Sequence, residues 1–300
     1  MHIVLLCGGT SSERDISLRS GKNIALALRK AGYAVDVLDP ATDISRLIKN
    51  KNKYTVAFLA LHGVGGEDGS MQGLLESIHL PYTGSGILAS ALAMNKEYAK
   101  KIFRATHLIT PPSYEKPTNA EMKNGLVIKP VSAGSSIGVQ IVSRRKDLTV
   151  AIQKAKKSDI YKKYIIEKQI HGRELTVAVL GNTHPVALPV IEIKSKNTFF
   201  DLASKYDPAL CDEICPAHIP KKITKHVQEL ACRAHRALGC RGFSRTDIMW
   251  ETKTNSAYIL ETNTLPGMTE ASLMPKAAKA AGYTFIQLIE KMIDLACEPV

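Results

Sequence analysis

The run A-Y-I-L-E-T-N-T-L-P-G-M-T-E-A-S-L-M-P at 257–275 constrains the fold more than any other stretch. Tyr258-Ile259-Leu260 is apolar and reads as a strand, with Glu261 and Asn263 two apart at its end. The strand period sets both side chains on one face. Residues 245–250, R-T-D-I-M-W, read as a second strand, and the polar residues 252–256 as the turn between them. A hairpin folded about Thr254 brings Asp247 opposite Glu261 and Arg245 opposite Asn263, with Ile248/Leu260 and Trp250/Tyr258 on the other face. Two carboxylates facing across a ladder repel, so this register predicts a cation between them. Asp, Glu and Asn form an all-oxygen set that suits Mg²⁺, which keeps waters and completes its shell with phosphates. The competing reading is an exposed hairpin with solvated charges. The convergence of Asn263, Arg245 and the Pro266-Gly267 turn favours the metal.

Upstream, strands and helices alternate. A strand over 3–7 leads into G-G-T-S-S-E-R-D at 8–15, a helix is expected over 17–31, and Gly32 closes it as a C-terminal cap. A strand over 35–38, a short helix over 44–49 and a strand over 56–61 follow. This β-α-β order predicts a parallel, doubly wound sheet with ligand groups at the strand C-ends. It places 8–13 beside H-G-V-G-G-E-D-G at 62–69, with His62 opening the second loop. Neither loop carries the three-glycine dinucleotide fingerprint or the Lys-Ser/Thr of a P-loop. A histidine at a strand end is as readily structural as ligand-binding.

Helices are expected over 72–77 and 87–103, with a first domain boundary near 93–95. Residues 127–130 form a short strand carrying Lys129, and a Gly/Ser-rich loop follows it. Such a loop offers backbone N–H groups and hydroxyls to phosphate oxygens, although an ordinary hairpin loop has the same composition. A basic helix over 147–157, a strand over 164–167, a turn and strand over 172–180 with Glu174 at its mouth, a strand over 186–193, a helix over 221–238 and a C-terminal helix over 277–297 complete the elements. From 195 to 216 periodicity vanishes, and a long excursion of this kind is expected to form a lid.

Three hundred residues exceed one ordinary core and imply two or three subdomains. The net charge of +12 invites a nucleic-acid reading, but the lysines are scattered and no nucleic-acid motif is present. A basic surface with an anionic small substrate fits better. No apolar run reaches membrane-span length, and the first nine residues read as a strand, not a leader. The six cysteines show no C-x-x-C and suit a reducing compartment. Cys211, Cys215 and His218 lack the second pair that a zinc site needs.

The ordered motifs H-G-V-G-G-E-D-G (62–69), V-I-K-P-V-S-A-G-S-S-I-G (127–138), G-R-E-L-T-V (172–177), K-Y (205–206), R-T-D (245–247) and E-T-N-T-L-P-G-M-T (261–269) resemble the ATP-grasp superfamily. Within it they resemble the D-alanine–D-alanine ligases. The resemblance runs along almost the whole chain. It implies an α/β protein of three subdomains: an N-terminal doubly wound parallel sheet over 1–93, and central (94–178) and C-terminal (179–300) subdomains with largely antiparallel sheets. It further implies ATP between the last two, a lid at about 195–215, and cytoplasmic synthesis of D-alanyl-D-alanine for peptidoglycan. A ligase joining D-alanine to D-lactate or to another amine is the alternative, and Tyr206 favours the dipeptide.

Residue by residue, Asp247, Glu261 and Asn263 resemble the ligands of two Mg²⁺ ions, for which Mn²⁺ is an admissible substitute, with Glu261 bridging. Lys96 and Lys129 resemble the phosphate lysines, and Ser136 a loop contact. Glu167, Lys168, Ile170 and Leu260 resemble the adenine contacts, and Glu174 the ribose contact. Glu13 resembles the carboxylate that holds the first D-alanine's ammonium. Arg245 and the Gly267 N–H resemble the oxyanion hole. His62, Lys205, Ser272 and Leu273 resemble substrate contacts, and Ser135 with Tyr206 the pair that closes the lid. Val64, Ser132-Ala133 and Leu202-Ala203-Ser204 depart from the family pattern. The partners implied are D-alanine and ATP, with a homodimer left open and neither nucleic acid nor membrane involved.

Overall fold

In a computed structural model of the chain, residues 1–132, 134, 138–157, 163–195 and 211–298 are described. Ser135, Ser136, Lys205, Tyr206 and residues 196–210 of the expected lid lie outside them.

The first βαβ units form as the apolar runs dictate. Strands β1 (His2–Leu6), β2 (Ala34–Leu38) and β3 (Val56–Leu59) pair in parallel, in the order β2-β1-β3. Helix α1 (Arg14–Lys30) crosses between the first two and ends where Gly32 takes φ +87°, a left-handed turn that a side chain resists. Helix α2 (Pro40–Lys49) starts four residues earlier than expected, because Asp39 accepts the Ala41 N–H as its N-cap and Pro40 fits the first helical position.

After α3 (Ser70–Ser77), the single helix expected over 87–103 is two, α4 (Ile87–Met94) and α5 (Lys96–Ala105). Asn95 leaves the helical region with ψ 97°, and its side chain accepts from the N–H groups of Glu97 (3.1 Å) and Tyr98 (3.2 Å). A helix breaks where a good N-cap side chain offers its backbone a second start. Past the short α6 (Asn119–Lys123), β4 (Leu126–Pro130), β5 (Gln140–Val142) and β6 (Tyr164–Lys168) form an antiparallel sheet in the order β5-β4-β6. Helix α7 (Arg145–Lys157) covers it around a small core of Leu126, Ile128, Leu148 and Ile166.

The largest sheet runs β10-β9-β7-β11-β12, with β8 beside β7. Its strands are β7 (Arg173–Leu180), β8 (Val186–Ala187), β9 (Ile191–Ser195), β10 (Cys211–Ile214), β11 (Phe243–Glu251) and β12 (Ser256–Asn263). The one strand expected over 186–193 is split, since Pro189 has no N–H for a ladder. Helix α8 (Lys221–Ala237) packs Val227, Leu230 and Ala234 onto Ile248, Trp250 and Ile259. The single C-terminal helix expected over 277–297 is also two, α9 (Leu273–Ala280) and α10 (Phe285–Cys297). Gly282 at φ +93° ends the first, and the Thr284/Gln287 capping box starts the second. Apolar residues of α10, among them Leu288 and Met292, share one core with the parallel sheet. No described helix is long and apolar enough to cross a membrane.

Candidate active site

The hairpin β11–β12 has the expected register at its open end: Asp247 faces Glu261 and Arg245 faces Asn263. Beyond Asp247 the register shifts, so Ile248 faces Ile259 and Trp250 faces Ala257. The pairs Ile248/Leu260 and Trp250/Tyr258 expected from the sequence are therefore wrong by one residue. Leu260 is the extra residue of a β-bulge, which lets period two restart between two faces that each need their own phase. Ala257 and Ile259 stay in the core beside α8, while Leu260 and Glu261 are both half-buried, not alternately in and out.

The repulsion across this rung is met by cations of the chain. Arg245 donates to both oxygens of Asp247, from Nε at 2.9 Å and from an Nη at 2.8 Å. Thr176, directly across from Asp247 on β7, donates its hydroxyl to the same carboxylate at 2.6 Å. Burial would lower the pKa of Arg245, but the carboxylate of Asp247 outweighs it and raises the value above the ordinary one. Lys96, the first residue of α5, lies 3.1 Å from Glu261. Asn263 accepts the Leu265 N–H at 2.9 Å and shapes the turn that follows β12.

The two N-terminal loops close over this hairpin. Glu13 is the N-cap residue of α1 and is buried. Its carboxylate fits between two glycines, because a Cβ on Gly63 would stand 3.0 Å from Oε2 and one on Gly134 3.1 Å. Ser11 donates to the His62 carbonyl at 2.6 Å and ties the loops together. His62 hydrogen-bonds the Leu265 backbone, while its Nε2 is buried without a hydrogen-bond partner. Burial, with some help from the charge of Arg245, pushes its imidazole down to about 4, so the ring is neutral at pH 7.

Glu67 is a site residue that sequence reasoning missed, although it stood in the quoted motif. It is buried, its Oε2 accepts the Gly63 N–H at 2.7 Å, and burial followed by the charge of Glu13 pushes its carboxyl up to about 8. The charge of Glu261 adds to that rise and Arg245 opposes it, so three carboxylates and a guanidinium share one field. The loop residues Gly9, Leu61, His62 and Gly66 also line a cavity of about 170 Å³ beside α2.

On the central sheet, Lys129 and Glu167 lie on adjacent strands and meet at 2.9 Å. Lys100 of α5 pairs with the other oxygen of the same carboxylate, and this buried lysine too was missed. Burial would raise Glu167, but Lys129 and Lys100 outweigh it and hold the carboxyl below its ordinary value. The Glu167 carboxylate is thus shared between two ammoniums, one at each oxygen. The Lys168 N–H is taken by the Pro112 carbonyl at 2.9 Å, and Ile170, two residues on, is buried. Glu174 sits on β7 beside Met249 of β11, in the sheet that carries Leu260.

After β12, Ser272 accepts the Thr269 N–H at 3.0 Å and pairs with the Thr269 hydroxyl at 2.7 Å. It immediately precedes α9, whose first residue, Leu273, packs against Ile193 and Cys211. A Cβ on Gly267 would stand 2.8 Å from the Ser272 hydroxyl, so only glycine fits there without moving it. The Met268 N–H reaches Ser20 of α1 at 3.3 Å and docks this turn against the N-terminal elements.

Asp247, Glu261, Asn263, Arg245, Lys96, His62 and Glu13 thus surround one crevice. The residues fit Mg²⁺: the donors are hard oxygens on adjoining rungs, and the carboxylate-rich field that raises Glu67 favours an added cation. Among the described residues no three His, Cys, Asp or Glu side chains are grouped for a metal, so the protein would supply part of a shell and phosphate oxygens the rest.

Two family models match the chain. One described as D-ala D-ala ligase C-terminus matches residues 96–294, and one described as D-ala D-ala ligase N-terminus matches 39–85. The D-alanine–D-alanine ligase of Carboxydothermus hydrogenoformans is 45% identical, over 99% of each chain. That of Desulforudis audaxviator is 46% identical, again over 99% of each. Among solved structures, the Bacillus anthracis D-alanine–D-alanine ligase complexed with ATP superposes with a TM-score of 0.84 at 32% identity, covering 99% of this chain and 97% of that one. The Coxiella burnetii ligase gives 0.83 at 28% identity, covering 99% and 93%.

Proposed function

The chain belongs to the D-alanine–D-alanine ligase family, and from that premise we propose how its residues divide the work. It is an ATP-dependent enzyme that joins two D-alanines into D-alanyl-D-alanine, a peptidoglycan precursor, with ADP and phosphate as the other products. The observation that carries the site assignment is the rung Asp247–Glu261 beside Arg245 and Asn263, closed over by Glu13 and His62.

A carboxylate is a poor electrophile, so it is first phosphorylated. Glu13 holds the ammonium of the first D-alanine, and the neutral His62 offers Nε2 to the same substrate. The substrate's carboxylate oxygen attacks the γ-phosphorus of ATP, ADP departs, and an acyl phosphate forms. Lys96 and Lys129 bind phosphate oxygens, and the backbone near Glu167, Lys168 and Ile170, with Leu260, receives the adenine while Glu174 holds the ribose. Mg²⁺, as two ions replaceable by Mn²⁺, would be held by Asp247, Glu261 and Asn263, and would neutralise charge on the transferring phosphoryl group.

The amine of the second D-alanine, gripped through its carboxylate by Ser272 and Leu273, then attacks the acyl carbon. The charge that develops on the acyl oxygen is met by Arg245 and the Gly267 N–H, a donor pair worth about 3–4 kcal/mol for each good member. Phosphate leaves with the original carboxylate oxygen. Ser135, Ser136, Lys205 and Tyr206 keep the roles that the family resemblance gives them, as do the subdomain limits near 93 and 178 and the lid.

The cytoplasm is the proposed location, supported by the six free cysteines and by the reaction's use of ATP. A homodimer is proposed from the resemblance, and light scattering would show twice the monomer mass. Phosphate release with ATP, Mg²⁺ and a panel of D-amino acids tests the reading. D-alanine alone should support release, with the dipeptide found by mass. Efficient capture of D-lactate as the second substrate would move the assignment to the alternative, and release independent of D-alanine would refute both.

A further inference from the structure

Helix α5 delivers two lysines to the site one turn apart. Lys96 reaches Glu261, and Lys100, at 1% exposure, reaches Glu167. The reaction scheme uses Lys96 and Lys129 but not Lys100. Glu167 is itself only 2% exposed, and its two oxygens are shared between Lys100 and Lys129, which lies at 2.9 Å. One buried carboxylate would be neutralised by one ammonium. A second lysine taken out of water at the same carboxylate is costly unless its surplus charge has a use.

We propose that Lys100 is a positioning residue for nucleotide binding: by pairing with Glu167, it leaves Lys129 a positive charge in excess to offer the phosphates of ATP. The inference rests on the reading of Lys129 as a phosphate lysine. In charge terms the triad carries two ammoniums against one carboxylate. Without Lys100, Lys129 and Glu167 neutralise each other, and a phosphate must compete with a buried carboxylate for the same ammonium. If Lys100 only fastened α5 to the central sheet, its removal would cost stability and leave nucleotide affinity alone.

The test is ADP affinity by titration calorimetry on the full chain, with thermal midpoints recorded alongside. Lys100→Met should weaken ADP by about tenfold, the scale of one charge-assisted hydrogen bond. Lys100→Arg should stay close to wild type. In a Glu167→Gln background the surplus charge no longer depends on Lys100, so adding Lys100→Met there should change affinity by less than about threefold. An equal loss in both backgrounds, or ADP binding by Lys100→Met within about twofold of wild type, would overturn the proposal. If Lys100→Met does not fold, the pair Glu167→Gln and Glu167→Gln/Lys100→Met still decides, because a tenfold drop between them contradicts it. Lys129→Met is the control: unchanged ADP affinity there would remove the phosphate reading itself, whereas a loss there with none at Lys100 removes only this inference.

Discussion

Glu67→Gln changes one proton and almost no shape. The Gly63 N–H that Glu67 accepts at 2.7 Å can be accepted as well by the amide oxygen of glutamine. In the folded chain, burial first and the charge of Glu13 second raise the carboxyl from 4.5 to about 8. A folded-state value above the unfolded one means that the folded chain holds the proton more tightly. The resulting stability is full below about pH 4.5, shrinks as pH rises, and is gone above about 8, where the folded carboxyl ionises as well. At about 1.36 kcal/mol per pH unit, the ceiling on that loss is about 5 kcal/mol, with the opposing charge of Arg245 already included in the raised value. Glutamine has no such dependence. Urea unfolding at about pH 5 and about pH 9 should therefore show the variant gaining on wild type as pH rises, by some kcal/mol, with an unchanged m-value. Unfolding midpoints of the two proteins that move in parallel across that range would refute the idea that Glu67 is held protonated.

Arg245→Lys keeps a charge but loses the fork that holds both oxygens of Asp247, so turnover should fall by about 10²–10³, and kinetics within a few-fold of wild type would remove Arg245 from the oxyanion role. Gly63→Ala places a Cβ 3.0 Å from Glu13 Oε2 at φ +69°; the KM for the first D-alanine should rise about tenfold and that for ATP should not, the strain costing about 1–2 kcal/mol of stability. Glu261→Gln relaxes the repulsion with Asp247 and keeps an amide oxygen that can accept from the buried Lys96, now 3.1 Å from the carboxylate, so the thermal midpoint should move little. Mn²⁺ binding in the presence of ADP, followed by electron paramagnetic resonance, should weaken by more than tenfold, and unchanged Mn²⁺ binding would remove Glu261 from the ligand set.

The site was legible where backbone pattern alone decides geometry. A polar turn between two strands fixed Asp247 against Glu261 and Arg245 against Asn263, since both pairs lie at the open end of the hairpin. The bulge at Leu260 was not legible, because it answers to the packing of Ile259 and Ala257 beside α8, which local sequence does not carry. Asn95 and Gly282 could have been read as breaks, and the apolar periodicity on either side masked them. Lys100 stood beside Lys101 in a basic helix that reads as a solvated face. Lys101 is exposed and pairs with Glu97, and only the i, i+4 spacing from Lys96 marks Lys100 as inward. Glu67 was hidden by company of another kind: in a glycine-rich loop an acidic residue passes for a turn former.

The central claim is that this crevice activates the carboxylate of one D-alanine as an acyl phosphate before the second amine attacks. Incubation with ATP, Mg²⁺ and D-alanine labelled with ¹⁸O in its carboxylate tests it most directly, with the released phosphate read by mass spectrometry. One ¹⁸O should appear in phosphate for each dipeptide formed, because the bond from that oxygen to carbon is the one that breaks. Phosphate free of label while dipeptide accumulates would contradict the account.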